Sequence, residues 1–388
     1  MKSASFRSLM PLGVAMLVLL ALSWALLGAE TQTEVFGLFG VTAVIAVIAS
    51  RLKFTESLGR VAVEHERAVS IACVVGILIL MALFHEDHFP LLLLGSVLLY
   101  ATACLGLNIQ FGYVGIVNFA GASFFGIGAY TTAVLASHTA MPHLLILAAG
   151  GVMAALVGCV LLLPVLRTRG HYGALVTIAF ATLFRSFLEV NDTLGGPQGL
   201  KIPSLQFFGW DLGEGLIFGG VEFSFYANYV FFALLLCMAA YVCVRRVERS
   251  WLGVAMDMVR TDEIAASVFG ISIARQKIIA FVLGNLLVGI AGAAYGMMTN
   301  YIAPNNFTFA DSLILVSMLL LGGIGNPLGV FPAAALILIL PEKLQFIQEY
   351  RFLLYGTVII FILLFRAQGL LPRGIRRFFP CAENDPRQ

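Results

Sequence analysis

The sequence predicts an all-α, polytopic integral membrane protein with about 10 to 12 transmembrane helices, some of them broken or re-entrant. Apolar residues make up 60% of the chain and charged residues only 11%, whereas soluble proteins are about half apolar and about a quarter charged. The apolar residues are also grouped into runs of membrane-spanning length, separated by short polar connectors. The net charge of +2 is too near neutral to indicate a nucleic-acid partner.

Residues 1–67 form the first predicted unit, with two transmembrane helices and a connector. The run from residue 9 to residue 27 has about 19 residues, the length of a membrane span rather than of a signal-peptide core. We therefore expect this first helix to be retained. A second, shorter span covers residues 35–50, and the basic connector 51–67 follows it.

Residues 68–380 form the predicted core of the protein, followed by a short tail at 381–388. The apolar spans of this core lie at about 68–84, 90–108, 113–136, 144–166, 171–190, 229–244, 278–299, 312–340 and 351–365. The run 312–340 is too long for one helix, and its glycines and proline at 322–329 predict two short helices around a break.

The distribution of basic residues predicts which segments face the cytoplasm. All of the 23 lysines and arginines except Arg185, Lys201, Lys343 and Arg351 fall in segments that share one side of this layout. Because short cytoplasmic loops are enriched in Lys and Arg, this side is predicted to be cytoplasmic. We expect a multi-pass protein of the bacterial inner membrane with both termini inside. Loop 245–277 then faces the cytoplasm, and loop 191–228 faces outward.

Residues 251–277 are the longest polar interruption in the C-terminal half that still has helical features. Thr261 is predicted to cap a short helix, Asp262 and Glu263 to interact with its positive end, and Gly270 to end it. Arg260 precedes the helix, and Ala265 and Ala266 keep it slim. A helix this short needs outside support. The pattern leaves two alternatives open, a helix lying on the membrane surface or a docking helix for a soluble partner.

Polar and small residues inside the predicted spans indicate transport. Our pathway candidates are Asn118, Ser123, Gly126, Thr182, Arg185 and Asn285. An intramembrane charge often marks a pathway, although Arg185 lies near a span end where it could also snorkel. Small residues allow close helix approach, and we assign this role to Gly292, Gly296, Gly322, Gly323 and Gly325. We expect the Gly292/Gly296 face to require a neighbouring subunit.

The absence of several sequence motifs argues against other functions. The sequence contains no GxxxxGK[ST] phosphate loop, GxSxG or HExxH motif, so we expect neither an enzyme nor bound ATP in this chain. His85 and His88 have metal-like spacing but no third ligand cluster, so no metal site is predicted. A self-sufficient secondary transporter usually needs acidic residues within the membrane, and Glu189 and Asp311 lie only at span ends. Energy for active transport would then come from another chain.

Six blocks of sequence carry a resemblance to a known family. They are LGLNIQFGYVGIVNFAGASFFGIGAY (105–130), VLRTRGHYGALVTIAF (165–180), LGGPQG (194–199), RTDEIAASVFGI (260–271), YIAPNNFTFADSLILVSMLLLGGIGNPLG (301–329) and FRAQGLLP (365–372). In order and spacing they resemble permease subunits of branched-chain amino acid ABC importers, from about residue 92 to residue 372. The two extra N-terminal spans resemble the LivM-type subunit more than the LivH-type.

The resemblance implies the permease fold of an ABC importer, in which this chain forms half of the pore. A LivH-type permease would form the other half, two cytoplasmic ATPases would bind ATP and Mg²⁺, and a periplasmic or surface binding protein would deliver leucine, isoleucine or valine. Residues 260–270 would be the coupling helix that seats in an ATPase. Thr182 stands where the family usually has Glu, Ala367 replaces a proline, and Thr261 replaces an acidic residue. Because Thr182 departs from the pattern, a urea or amide importer of the same family stays open as an alternative.

Overall fold

Helices account for most of the residues that the computed structural model describes, which are 6–29, 66–168, 172–207, 210–218 and 221–343, with 34, 37–38, 350, 353, 355–357, 360, 369–371 and 373. The helices are α1 (Phe6–Gly28), α2 (Glu66–Leu83), α3 (His88–Asn108), α4 (Gly121–His138), α5 (His143–Arg167), α6 (Tyr172–Val190), α7 (Phe225–Arg249), α8 (Trp251–Thr261), α9 (Glu263–Val268), α10 (Ile273–Thr299), α11 (Phe309–Gly322) and α12 (Val330–Lys343). The all-α polytopic fold is confirmed.

Six helical segments among the described residues are long and apolar enough to cross a membrane. They are His88–Val114, His143–Arg167, Tyr172–Val190, Phe225–Arg249, Ile273–Thr299 and Pro304–Gly322, and Ala68–Leu83 is a shorter apolar helix. The predicted second span at 35–50 and the last span at 351–365 lie mostly outside the described residues. The total of about 10 to 12 spans therefore stays a prediction.

The predicted span at 113–136 is wrong in its first part. Helix α3 continues through one π-helical turn, Ile109–Val114, which ends at Gly115 in the left-handed conformation (φ 79°). Residues 115–120 are not helical, and α4 begins at Gly121. The apolar run hides this break because hydropathy does not record whether the backbone hydrogen bonds are continuous.

Helix α10 lies at the centre of the bundle and packs along α3, α4 and α5. A Cβ atom on Gly292 would overlap the carbonyl oxygen of Phe125 in α4, and one on Gly296 would lie 2.8 Å from the Ile202 side chain. This small-residue face is therefore covered within the chain. The expectation that it requires a neighbouring subunit is wrong, because the chain folds back far enough to supply the contact itself.

The predicted break in the 312–340 run is present between α11 and α12. Gly323 (φ 105°) and Gly325 (φ 87°) adopt backbone conformations that favour glycine. The backbone N–H groups of Leu370 and Leu371 donate to the carbonyl oxygens of Leu321 (2.8 Å) and Gly322 (3.2 Å). These bonds satisfy carbonyl groups at the end of α11, where the helix leaves them without partners.

Short strands lie in the predicted outer loop and in the connection after α10, and one pair of them links these two segments. The strands are β1 (Leu200–Lys201), β2 (Gln206–Phe207), β3 (Trp210–Asp211), β4 (Leu216–Phe218), β5 (Val221–Phe223) and β6 (Tyr301–Ile302). They form three antiparallel pairs, β1 with β6, β2 with β3, and β4 with β5. We call residues 191–228 and 300–307 the outer end of the molecule.

The contacts between segments agree with the predicted sidedness. At the outer side, His88 hydrogen-bonds to Ser224 (2.5 Å). There too, Lys343 Nζ donates to the carbonyl oxygens of Leu27 (2.7 Å) and Ala29 (2.9 Å), which joins α1 to α12. At the opposite side lie residues 251–277, the turn at 112–115 and residues 369–371 and 373, which we call the basic end; there Arg373 contacts both Asp257 and Gly112. Each of these contacts joins segments that the charge pattern places on one side.

Candidate functional site

The short helix α9 is capped by Asp262 and not by Thr261. Thr261 is the last residue of α8, where its hydroxyl donates to the carbonyl oxygen of Asp257 (2.8 Å). The Asp262 carboxylate accepts from the N–H groups of Ile264 (2.8 Å) and Ala265 (3.0 Å). The predicted cap is therefore wrong by one residue. Both residue types are good caps, and the sequence does not show that α8 continues through Thr261.

An ion pair with α10 and a glycine in the left-handed conformation fix the two ends of α9. Glu263 forms an ion pair with Lys277 in the first turn and a half of α10, with Nζ and Oε1 2.7 Å apart. Gly270 follows the helix with φ 78°, as its predicted role requires. Because α9 has only six residues, these contacts supply the support that such a short helix needs.

The apolar side chains of α9 face in two directions. Ala266 is 1% exposed, so it packs against the chain itself. Ile264, Val268 and Phe269 are 78%, 79% and 74% exposed. We expected Ala266 to keep the helix slim where it meets a partner, and this is wrong because the Ala266 side chain faces inward. Positions 264 and 268, which are one helical turn apart, face outward instead. We call Ile264, Val268 and Phe269 the α9 outer face.

A concave surface of about 330 Å³ lies between α8 and α9. It is lined by Val254, Asp257, Met258, Thr261, Asp262, Ala265 and Ala266. Arg260 lies beside it, with Nε 3.9 Å from the Asp257 carboxylate. This hollow and the α9 outer face thus both involve α9, outside the membrane-spanning helices.

A cluster of buried amides lies where the π-helical turn meets α10. Gln110 Nε2 donates to Asn285 Oδ1 (2.9 Å), and Asn118 Nδ2 donates to Gln110 Oε1 (2.8 Å). Asn118 Oδ1 in turn accepts from the N–H of Ala120 (2.9 Å) at the start of α4. Asn108 accepts from the N–H of Gly325 (2.8 Å), next to the break between α11 and α12. Every side chain of this cluster is wholly buried.

Two other pathway candidates lie within the packed interior. Ser123 is wholly buried in α4. A Cβ atom on Gly126 would lie 2.8 Å from the Phe307 ring, so this glycine allows Phe307 to pack closely. The structure thus gives Gly126 a packing role, and its place on the pathway stays a prediction.

Helix α6 carries the remaining pathway candidates on its exposed side. Thr182 is exposed, and its hydroxyl donates to the carbonyl oxygen of Ile178 (3.1 Å). Arg185 forms an ion pair with Glu189 (2.8 Å) and donates to Asn305 Oδ1 (3.2 Å). The structure does not bring these two side chains to the buried amides. They lie on a separate surface at the outer half of α6.

A comparison with protein families shows which family the chain belongs to. The family model described as "Branched-chain amino acid transport system / permease component" matches residues 89–363, which run from the second residue of α3 to beyond α12. The chain belongs to this family. Family members are transport permease components, so the chain is a permease and not itself an enzyme.

Individual relatives carry the same description. The permease is 33% identical over 291 residues to the high-affinity branched-chain amino acid transport permease LivM of Escherichia coli, covering 71% of this chain and 68% of that protein. It is 24% identical over 324 residues to a probable LivM of Methanocaldococcus jannaschii, covering 71% and 90%. It is 25% identical over 306 residues to LivH of E. coli, covering 75% and 95%. No solved structure matches.

Sequence reasoning missed two residues of the amide cluster and one ion pair in this permease. Asn108 and Gln110 lie within the quoted block 105–130, and their amides amid glycines were a usable signal. The pair between Asp257 and Arg373 joins residues 116 positions apart. A contact of that range has no local signature in a single sequence.

Proposed function

We propose that this permease is one subunit of an ATP-driven importer of the branched-chain amino acids leucine, isoleucine and valine, and that it forms half of the translocation pore. The observation that carries the proposal is the 33% identity to LivM over 291 residues. The alternative of a urea or amide importer is not favoured, because LivM, LivH and the family description all refer to branched-chain amino acids.

The proposed assembly contains three kinds of protein partner. A LivH-type permease completes the pore, two cytoplasmic ATPases bind ATP and Mg²⁺, and a binding protein outside the membrane delivers the amino acid. Similarity to both LivM and LivH supports a pair of related permeases. The basic end faces the cytoplasm and the ATPases, in keeping with the positive-inside rule.

We assign ATPase coupling to the surface formed by α8 and α9. The α9 outer face supplies three apolar side chains, while Arg260, Asp262 and Glu263 supply charges beside it. Large apolar side chains that a monomer leaves exposed in a compact group often mark a protein interface. Ala265 is exposed near this face, whereas Ala266 and Gly270 shape the helix from within and at its end.

The substrate pathway is assigned to two sets of residues. The buried amides Asn118 and Asn285, with Ser123, lie beside the broken segments, where altered helix packing would expose them. The Asn285 amide nitrogen and the Ser123 hydroxyl have no hydrogen-bond partner among the described atoms. Since a buried polar group without a partner costs about 1–3 kcal/mol, we expect both groups to gain partners in another state. Thr182 and Arg185 would line the outer approach.

The test of the proposed function is uptake by the complete complex. Cells lacking their own branched-chain and urea importers would express this permease with its partner permease, ATPases and binding protein. We expect saturable uptake of labelled leucine that unlabelled isoleucine and valine inhibit. Uptake of labelled urea without uptake of leucine would contradict the assignment and favour the alternative.

Orientation is tested by cysteine labelling in intact cells, in a background without native cysteines. Lys201 in β1 and Ala274 in α10 are both exposed, and each is replaced by cysteine in turn. We expect a membrane-impermeant maleimide to label position 201 but not position 274. Labelling only at position 274 would reverse the topology. Position 257 is unsuitable for a probe because Asp257 is paired with Arg373.

A further inference from the structure

Arg373 joins the end of the chain to α8. Its two terminal nitrogens donate to the two carboxylate oxygens of Asp257, at 2.6 Å and 2.7 Å. A bidentate pair of this kind fixes the direction as well as the distance between two groups. The Arg373 side chain is 18% exposed and the Asp257 side chain 37%, so the guanidinium is the more shielded partner of the pair.

The same guanidinium group contacts the π-helical turn. It lies over the ring of Tyr113, 4.9 Å from the centroid, within the range of a cation–π interaction. One of its nitrogens is also 3.5 Å from the carbonyl oxygen of Gly112. The aliphatic part of Arg373 passes beside Gly325, where a Cβ atom would lie 2.7 Å from its Cδ. The break between α11 and α12 is therefore shaped around this arginine.

The Arg373 guanidinium is always ionised, and the charges around it favour that form. Burial lowers its pKa, but the hydrogen bonds and charge of Asp257, with the charge of Glu248, raise it above the usual value. Glu248 is itself paired with Arg245 at 2.7 Å. The contact between α8 and the broken segments therefore includes a guanidinium charge that does not titrate.

We propose that Arg373 is a positioning residue that transmits movement of the α8–α9 surface to the broken segments inside the membrane. The path runs from Asp257 through Arg373 to the turn at Gly112 and Tyr113 and to Gly325. From there the N–H of Gly325 binds Asn108, which lies next to the buried amides. The inference rests on the proposed function, because it assigns a route for ATPase coupling.

The test uses the complete complex reconstituted in liposomes with the binding protein and leucine. The variants are Arg373→Gln, Arg373→Lys, Asp257→Asn and the exchange Asp257→Arg/Arg373→Asp. The control is Arg246→Gln, which removes an exposed charge from the last turn of α7. Leucine uptake, ATP hydrolysis with and without the binding protein, and co-purification of the ATPases are measured for each.

We expect Arg373→Gln to retain the ATPases and basal ATP hydrolysis but to lose about tenfold in uptake per ATP hydrolysed, within the range of coupling free energies of about 1–3 kcal/mol. Arg373→Lys should lie between Gln and the wild type, because Lys keeps the charge without the two-pronged geometry. Partial recovery in the charge exchange would support a direct pair. If every variant that loses uptake does so only through loss of assembly, as a purely structural role predicts, the proposal is overturned.

If Arg373→Gln does not assemble, the same measurements on Asp257→Asn decide, since this change keeps the shape of the side chain. Normal coupling in whichever variant assembles, equal to that of Arg246→Gln, would overturn the proposal. The proposed function fails separately, when the wild-type complex takes up no leucine. The Arg373 inference therefore fails by itself when the wild-type complex takes up leucine and the variants that assemble show the same uptake per ATP hydrolysed as the wild type.

Discussion

The two ends of this permease are held together by different kinds of contact. At the outer end, β1 pairs with β6 through backbone hydrogen bonds, and the Tyr229 hydroxyl accepts from the buried N–H of Leu205 (3.0 Å). At the basic end, ion pairs join α9 to α10 and α8 to Arg373. Main-chain bonds also hold Leu370 and Leu371 at the basic end, so the difference lies in the ion pairs that are added there. The end that is proposed to receive force from the ATPases is thus the one whose segments are joined by ion pairs between charged side chains.

Two glycines, one from each end, differ in the space around them. Gly199 and Gly270 both adopt positive φ, 73° and 78°. A Cβ atom on Gly199 would overlap the backbone of Ile302, whereas one on Gly270 would meet nothing within 4 Å. Gly199 therefore needs to be glycine for its backbone conformation and for space, whereas Gly270 needs to be glycine for its conformation alone.

The largest expected effect comes from breaking the proposed contact of the basic end with the ATPases. Val268→Asp places a charge in the middle of the α9 outer face, where Val268 is 79% exposed. We expect leucine uptake to fall by about tenfold or more and the ATPases to dissociate on purification. The free energy of unfolding should change by less than about 0.5 kcal/mol, because the Val268 side chain is largely exposed.

The control for Val268→Asp is Ala274→Asp, an equally acidic change at an exposed position in the first turn of α10. A carboxylate there interacts favourably with the helix N-terminus, and we expect uptake to be unchanged. Equal uptake and ATPase retention in both variants would show that α9 is a surface helix without a docking role. That outcome would favour the membrane-surface alternative for this stretch.

The next largest effect is the loss of stability when one glycine from each end is replaced by alanine. We expect Gly199→Ala to destabilise the permease by roughly 2–5 kcal/mol, since backbone strain and overlap with Ile302 add together. Gly270→Ala should cost only about 1–2 kcal/mol, the strain of the left-handed conformation. Thermal unfolding of both purified variants, measured side by side, checks the difference. Equal losses would contradict the contrast between the ends.

The sequence predicted the transmembrane fold, the break at 322–329 and the family, because hydrophobic run length, glycines and motif order are local properties. It misplaced the cap of α9 and the direction of Ala266, since both depend on where α8 ends. It also took 113–136 as one span. The π-helical turn there is stabilised by tertiary contacts, including the pairing of Gln110 with Asn285, and a single sequence does not show which distant residues meet.

A smaller effect is expected from one hydrogen bond at the outer end. Tyr229→Phe removes the hydroxyl that accepts from Leu205 N–H, and both residues are buried, at 2% and 0% exposure. A buried N–H left without a partner costs about 1–3 kcal/mol, so the melting temperature should fall while uptake at low temperature is retained. An unchanged melting temperature would mean that another group or water takes over this bond.

The smallest effect is expected from the ion pair that holds α9 to α10. Glu263→Gln removes the charge opposite Lys277, and the two side chains are 52% and 20% exposed. Exposed ion pairs contribute about 0.2–1 kcal/mol, and salt screens them further. We expect a loss of stability within this range that shrinks as the salt concentration rises. Because Glu263 also lies beside the proposed ATPase contact, uptake should fall less than in Val268→Asp. A loss of uptake as large as that of Val268→Asp would instead place Glu263 itself in the contact with the ATPase.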